Sequence, residues 1–215
     1  METREKLQSA YLNYVLTNGE KPKSVYLFAK ENDLAEEEFY NYFASFEGIE
    51  QSIWSGLMQK TITEVKAQEV WNQYTSREKA LSLFYSFMEL LKSNRSFAIY
   101  SLKNSPSTLR TPKVLDGVKV EFENFSAQIL QEGIESVELI DRPFFANKYK
   151  DALWIQFGFV LNFWIKDIST GFEKTDEAIE KGVNVTYNLF QRSPVDELFE
   201  YGKFLIKNAG FKMPF

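Results

Sequence analysis

The chain has 215 residues, with 25 Lys and Arg against 30 Asp and Glu, a net charge of −5 and a pI near 5.1, a balance that argues against a broad nucleic-acid grip. It has no cysteine and no histidine, which removes thiol nucleophiles, Ser-His-Asp triads, disulfides and zinc sites with Cys or His ligands. The carboxylates, lysines and tyrosines that remain form no recognisable catalytic constellation, so neither an enzyme nor a cofactor is expected. The N-terminus lacks the charged-then-apolar pattern of a secretory signal, and a cytoplasmic location is the default expectation.

In chain order the elements read as helices throughout. The first is expected from Glu2 or Thr3 to about Thr17, with Leu7, Ala10, Tyr11, Tyr14 and Val15 on one face, and Asn18-Gly19 ends it. Ser24 is placed to cap a helix whose buried face is Val25, Phe28 and Ala29, and Glu31-Asn32-Asp33 supplies turn chemistry behind it. A second short helix carries Leu34, Phe39, Tyr42 and Phe43, with Asp33 and Glu36 at capping-box spacing. Ser45 opens a long helix through Ile49, Ile53, Trp54, Leu57, Met58, Ile62 and Val65 towards Trp71.

Further helices are expected from Ser76, with Leu81, Phe84, Tyr85, Met88 and Leu91 as the apolar stripe, and from Ser96 to Lys103. Asn104 to Thr108 is the clearest loop. Lys113 to Ser136 reads as a helix tolerating Gly117, and Pro143 fits the first turn of the next. The stretch Ala152 to Ile165 is the most apolar in the chain. It is shorter than the roughly 20 residues a membrane span needs, and Gln156 and Asn162 interrupt it, so a buried helix is expected. Glu173 to Phe190 and Val195 to Asn208 close the series.

The stretch Ser24 to Ile49, two short helices about a tight turn followed by a long third, is a helix-turn-helix. The block Phe39-Tyr40-Asn41-Tyr42-Phe43-Ala44-Ser45, with Phe28-Ala29 upstream and Ile49 downstream, resembles the TetR-type transcriptional repressors without a gap in spacing. The resemblance implies an all-α, TetR-like fold: a three-helix helix-turn-helix domain over residues 1–48, and a larger helical ligand-binding and dimerisation domain over residues 49–215. It further implies a homodimer through Trp154 to Ile168 and Thr175 to Phe190, and a cavity for a small hydrophobic molecule or lipid. The residues to search for around that cavity are Phe84, Tyr85, Met88, Phe97, Tyr100, Phe122, Phe125, Tyr149, Trp154 and Phe157, although ordinary core packing is the default expectation for most aromatic positions.

For operator DNA the resemblance points to Lys21, Lys23, Ser24, Tyr40, Asn41 and Tyr42, with Lys30 a further candidate for phosphate. The departures fall on the DNA-facing side of the pattern. Asp33 and Glu37 replace glycines, Ala35 replaces a capping serine, and Phe46 replaces the lysine that reaches the backbone. Glu36, Glu37 and Glu38 occupy the first turn of the recognition helix, where they oppose phosphate but also favour the helix dipole. Two readings stay open: a ligand-controlled transcriptional regulator, and a protein of the same fold without operator binding that acts as a lipid-binding or partner-binding module.

Overall fold

A computed structural model describes residues 3–103, 111–141 and 146–191, together with residue 204. Among the described residues there are nine α-helices and no strand. The expected loop at Asn104 to Thr108, the helix start at Pro143 and the final helix from Val195 to Asn208 lie outside the described residues or almost entirely so.

Three helices make the head: α1 (Thr3–Asn18), α2 (Val25–Glu31) and α3 (Glu36–Tyr40). The long α4 (Phe46–Lys66) begins in the head and ends in the body. Ser24 caps α2 by accepting from the Leu27 amide at 3.2 Å, and Ser45 caps α4 by accepting from Gly48 at 3.2 Å. Each satisfies one of the amides that a helix start leaves without a carbonyl. The head core is aromatic: Tyr11 stacks on Phe46 at 5.4 Å between ring centroids, and Phe28 and Phe39 meet Phe46 edge-on at 5.5 and 5.8 Å.

The body consists of α5 (Ser76–Lys92), α6 (Arg95–Leu102), α7 (Asp116–Glu135), α8 (Ala146–Lys166) and α9 (Glu173–Phe190). α4 packs on α5 and α7, α8 packs on α7 and α9, and α9 closes against α5. α6 touches both α5 and α1, so it bridges body and head.

Several boundaries differ from expectation for local reasons. The capping box expected from Asp33 and Glu36 does not form; Asp33 takes a left-handed φ of 58°, which a short polar side chain tolerates, and so fills the turn glycine's role. The helix starts instead after Ala35, whose amide donates to the Glu38 carboxylate at 2.8 Å. Leu34 therefore precedes the helix, and Asn41, Tyr42 and Phe43 follow it. α4 stops at Lys66, and Trp71 lies in a separate 3-10 turn, Trp71–Gln73. Thr75 and Glu78 form a full capping box ahead of α5. Lys113–Leu115 is a 3-10 turn before α7. Gly117 lies where α7 approaches α4 closely: a Cβ there would lie 2.0 Å from the rotatable Ser55 hydroxyl and 3.3 Å from the Ser55 Cβ.

Candidate functional site

At the tip of the head the residues singled out for DNA are all on or near the surface, but they differ in what holds them. Tyr40 and Tyr42 are 52% and 40% exposed, and Tyr40 donates a long hydrogen bond of 3.4 Å to Glu36 one turn earlier. Asn41 is exposed at the end of α3, where its amide closes the helix on the Glu38 and Phe39 carbonyls. Lys23 is exposed. Ser24 uses its hydroxyl as the α2 cap. Lys21 is tied to Glu47 at 3.0 Å, and that hydrogen bond raises its pKa and keeps it charged.

Phe46 corrects the expectation drawn from the family pattern. It does not occupy a DNA-facing position vacated by a lysine; its ring is 7% exposed and sits inward among Tyr11, Phe28 and Phe39. Arg4, at the N-terminal edge, also faces the head itself. Its guanidinium lies 5.1 Å from the Phe43 ring and donates to Ser52 at 3.0 Å.

A polar junction links the head to the body. The Tyr11 hydroxyl, buried under α4, donates to the Glu50 carboxylate at 2.5 Å, with Tyr100 of α6 beside them. Burial raises the Glu50 pKa against the lowering effect of the Tyr11 bond. One turn further along α4, the buried Trp54 indole donates to Ser101 of α6 at 2.9 Å. Glu50 and Trp54 share a face of α4 at i, i+4 spacing. The sequence offered Trp54 only as an apolar helix residue, and nothing in its spacing signalled this polar link.

The aromatics proposed as a pocket separate into groups. Phe84, Phe122, Trp154 and Phe157 are brought together, with centroid separations from 5.0 to 5.9 Å. Phe97 joins this cluster through Trp54 and Phe87. Phe125 packs on Trp71 at 5.9 Å, and Tyr149 stacks on Phe190 at 4.2 Å, so both lie apart from it. Tyr100 belongs to the head–body junction. The rings of the central cluster fill the space between their helices as a close-packed core does.

Tyr85 and Met88 instead face an open groove of about 610 Å³, lined also by Glu64, Lys92, Trp164 and Phe172, between α4, α5 and the α8–α9 corner. Trp164 stood in the apolar run without being placed in a pocket. Phe172, in the turn between α8 and α9, carried no periodic signal at all. The corner is fixed by two devices. The Asp167 carboxylate accepts from the amide and hydroxyl of Ser169 and of Thr175 at 2.7–2.9 Å. Burial acts to raise its pKa, but these four bonds outweigh it and hold the group at about 2. Arg95, the first residue of α6, donates to the carbonyls of Trp164, Ile165 and Asp167, closing the end of α8. Its guanidinium lies 4.6 Å from the Trp164 ring and 4.5 Å from the Phe172 ring.

Ile155, Phe159 and Phe163 form an exposed stripe along α8, and Val185 is exposed on α9. Among the described residues no three carboxylates gather into a metal-holding cluster, and no helix is long and apolar enough to cross a membrane.

A comparison with curated protein sequences finds no match. Among solved structures the chain is similar to the transcriptional regulator FadR from Bacillus subtilis in complex with stearoyl-CoA: 21% identity, TM-score 0.61, covering 83% of this chain and 97% of that one. It is similar to FadR from Thermus thermophilus, a TetR-family repressor in complex with lauroyl-CoA, at 18% identity and TM-score 0.62 over 85% and 92%. A TetR transcriptional regulator from Nitrosomonas europaea gives 12% identity and TM-score 0.59 over 86% and 98%. At these identities the likeness shows the fold. The family described as Tetracyclin repressor-like, C-terminal domain, matches residues 79–205. With that match spanning more than half of the sequence, and a helix-turn-helix head in front of it, the chain belongs to the TetR family of transcriptional regulators.

Proposed function

We propose that the chain is a homodimeric transcriptional regulator whose affinity for operator DNA is set by a hydrophobic ligand bound in the helical body. The observation that carries this reading is the head: a capped helix-turn-helix that exposes Tyr40, Asn41 and Tyr42 at its tip, with Lys23 and Ser24 on the approach. In such heads the recognition helix enters the major groove while neighbouring residues hold phosphate. The exposed stripe of Ile155, Phe159 and Phe163 beside Val185 supports pairing of α8 and α9 with a second copy, because a solvated stripe of that size gains by burial. The FadR structures bind acyl-CoA, and the aromatic body here suits an apolar ligand, seated by parting the rings of Phe84, Phe122, Trp154 and Phe157. Of the wider candidate set only Phe97 adjoins that space, through Trp54 and Phe87; Phe125, Tyr149, Tyr85, Met88 and Tyr100 lie outside it.

One observation favours the second reading, a family fold without operator binding. Three glutamates stand on the first turn of α3, and Lys21, a candidate phosphate contact, is already ion-paired with Glu47. Titration of the purified protein with its own upstream DNA across a salt series decides between the two. Sequence-selective binding that weakens steeply with salt, and weakens further in Lys23→Ala and Tyr42→Ala, establishes the regulator. No binding at low salt, with a folded dimer, establishes the module.

A further inference from the structure

The short helix α3 turns Phe39 inward, fully buried against Phe28 and Phe46. At 3.6 residues per turn, Glu37 and Asn41 lie roughly 160° and 200° round the helix from Phe39, so they form the ridge opposite the buried side. Asn41 keeps a helical backbone, with φ −68° and ψ −20°, and the geometry therefore extends to it. Both residues are exposed, and neither side chain makes a hydrogen bond or ion pair among the described residues. The flanking carboxylates are engaged within the helix: Glu38 accepts from the Ala35 amide at 2.8 Å and Glu36 from the Tyr40 hydroxyl at 3.4 Å.

In a helix-turn-helix this outer ridge is the part that meets base edges in the major groove. A carboxylate only accepts hydrogen bonds, which restricts what it can meet there. Guanine presents two acceptors, thymine an acceptor and a methyl group, and adenine an acceptor beside its amino group; cytosine presents its amino donor alone. An asparagine amide both donates and accepts, which matches the paired edge of adenine.

We propose that Glu37 and Asn41 determine the sequence specificity of the head, Glu37 reading a cytosine and Asn41 an adenine in each operator half-site. Four residues of helix rise about 6 Å and stacked base pairs about 3.4 Å, so the two bases stand about two base steps apart where the helix follows the groove. Glu37 repels phosphate on any duplex and gains a partner only at cytosine. It therefore lowers affinity for DNA in general while sharpening the preference for one sequence. The assignment rests on the regulator reading.

The test needs no known operator: the full chain selects duplexes from a random pool at low salt, and the enriched sequence is titrated beside copies with one base pair changed. An enriched cytosine and adenine about two steps apart are expected. The ratio of affinities between the matched duplex and its cytosine-to-thymine copy should fall about tenfold in Glu37→Ala, with the adenine preference kept, and Asn41→Ala should show the converse. Glu37→Gln, whose amide also donates, should move the preference at its position towards adenine. Both side chains are exposed, so circular dichroism of these variants should match the unaltered chain. An enriched sequence whose preferences all survive Glu37→Ala and Asn41→Ala overturns the assignment and leaves the regulator reading standing, as does a gain in Glu37→Ala that is equal on every duplex. A pool in which nothing is enriched removes the regulator reading and the assignment with it.

Discussion

Replacing Phe46 by lysine restores the residue that the family pattern places at this point, and reasoning from the pattern alone expects it to strengthen DNA binding. The structure predicts the reverse. The ring is 7% exposed and contacts Tyr11, Phe28 and Phe39 at 5.4, 5.5 and 5.8 Å, so it joins three of the head's helices. Truncating a buried phenylalanine costs about 3–5 kcal/mol, and the aliphatic stem of lysine recovers part of that only if its ammonium reaches water. A loss of about 3–4 kcal/mol is therefore expected. With a urea slope of about 2 kcal/mol/M, the unfolding midpoint drops by roughly 1.5–2 M. Urea unfolding followed by circular dichroism measures this, and DNA titration at low salt runs beside it. If Phe46→Lys unfolds with the unaltered protein and gains DNA affinity, the ring faces DNA and the packing argument is wrong.

Other predictions follow from the same contacts. A Cβ on Gly133 would lie 2.8 Å from Leu139 and from the Ser76 Cβ at the start of α5; Gly133→Ala is expected to lose about 1–2 kcal/mol in thermal unfolding despite its better helix propensity. Asp167, held at about 2 against an ordinary 3.8, stabilises the fold above the unfolded value, and that contribution disappears as pH falls from about 4 through 2. The urea midpoints of Asp167→Asn and the unaltered chain should thus differ at pH 7 and converge towards pH 2. Glu50 has the opposite sign, because burial raises its pKa and its charged form opposes folding once pH exceeds the unfolded value. Glu50→Gln, still able to accept from Tyr11, is expected to be the more stable protein at pH 7 and to lose that advantage below about pH 4. Phe159→Glu with Phe163→Glu, on the exposed stripe of α8, should sediment as a monomer at concentrations where the unaltered chain is a dimer.

The helical plan was legible because amphipathic spacing and caps are local. Ser24 and Ser45 cap where their sequence context puts them, and Glu173 to Phe190 has the boundaries its stripe implies. The errors came where two segments distant in sequence meet. Gly117 sits inside α7 as its context implies, but its close approach to Ser55, 62 positions away in another helix, has no local signal. The candidate pocket residues could be recognised as inward-facing, but whether rings enclose space or fill it depends on the angle between helices, which periodicity does not encode. The groove was invisible for a related reason. It draws on Glu64, Tyr85, Trp164 and Phe172, four residues from separate elements, and one of them sits in a turn with a left-handed φ of 66°.

The three glutamates at the start of α3 looked equivalent in sequence, and the structure separates them. Glu38 turns back to accept the Ala35 amide at 2.8 Å; with no oxygen on Ala35 to cap the helix, this half of a capping box secures the first turn. Glu36 accepts from Tyr40 at 3.4 Å, a weak contact. Glu37 makes no side-chain hydrogen bond or ion pair among the described residues and is exposed, so what it offers the helix start is its charge at the dipole. Glu38→Lys is therefore expected to cost about 0.5–2 kcal/mol of head stability, and any phosphate attraction it gains is offset by loss of the turn. Glu37→Lys should leave stability within about 0.5 kcal/mol, remove a repulsion and add a phosphate contact, steepening the salt dependence of DNA binding by about one unit in the log–log slope. Affinity rising in Glu37→Lys but not in Glu38→Lys would show that the acidic turn plays two separable parts, one in folding and one in limiting contact with DNA. Equal gains from both would mean that the Ala35–Glu38 bond contributes nothing to the head, and the local argument for this helix start would fail.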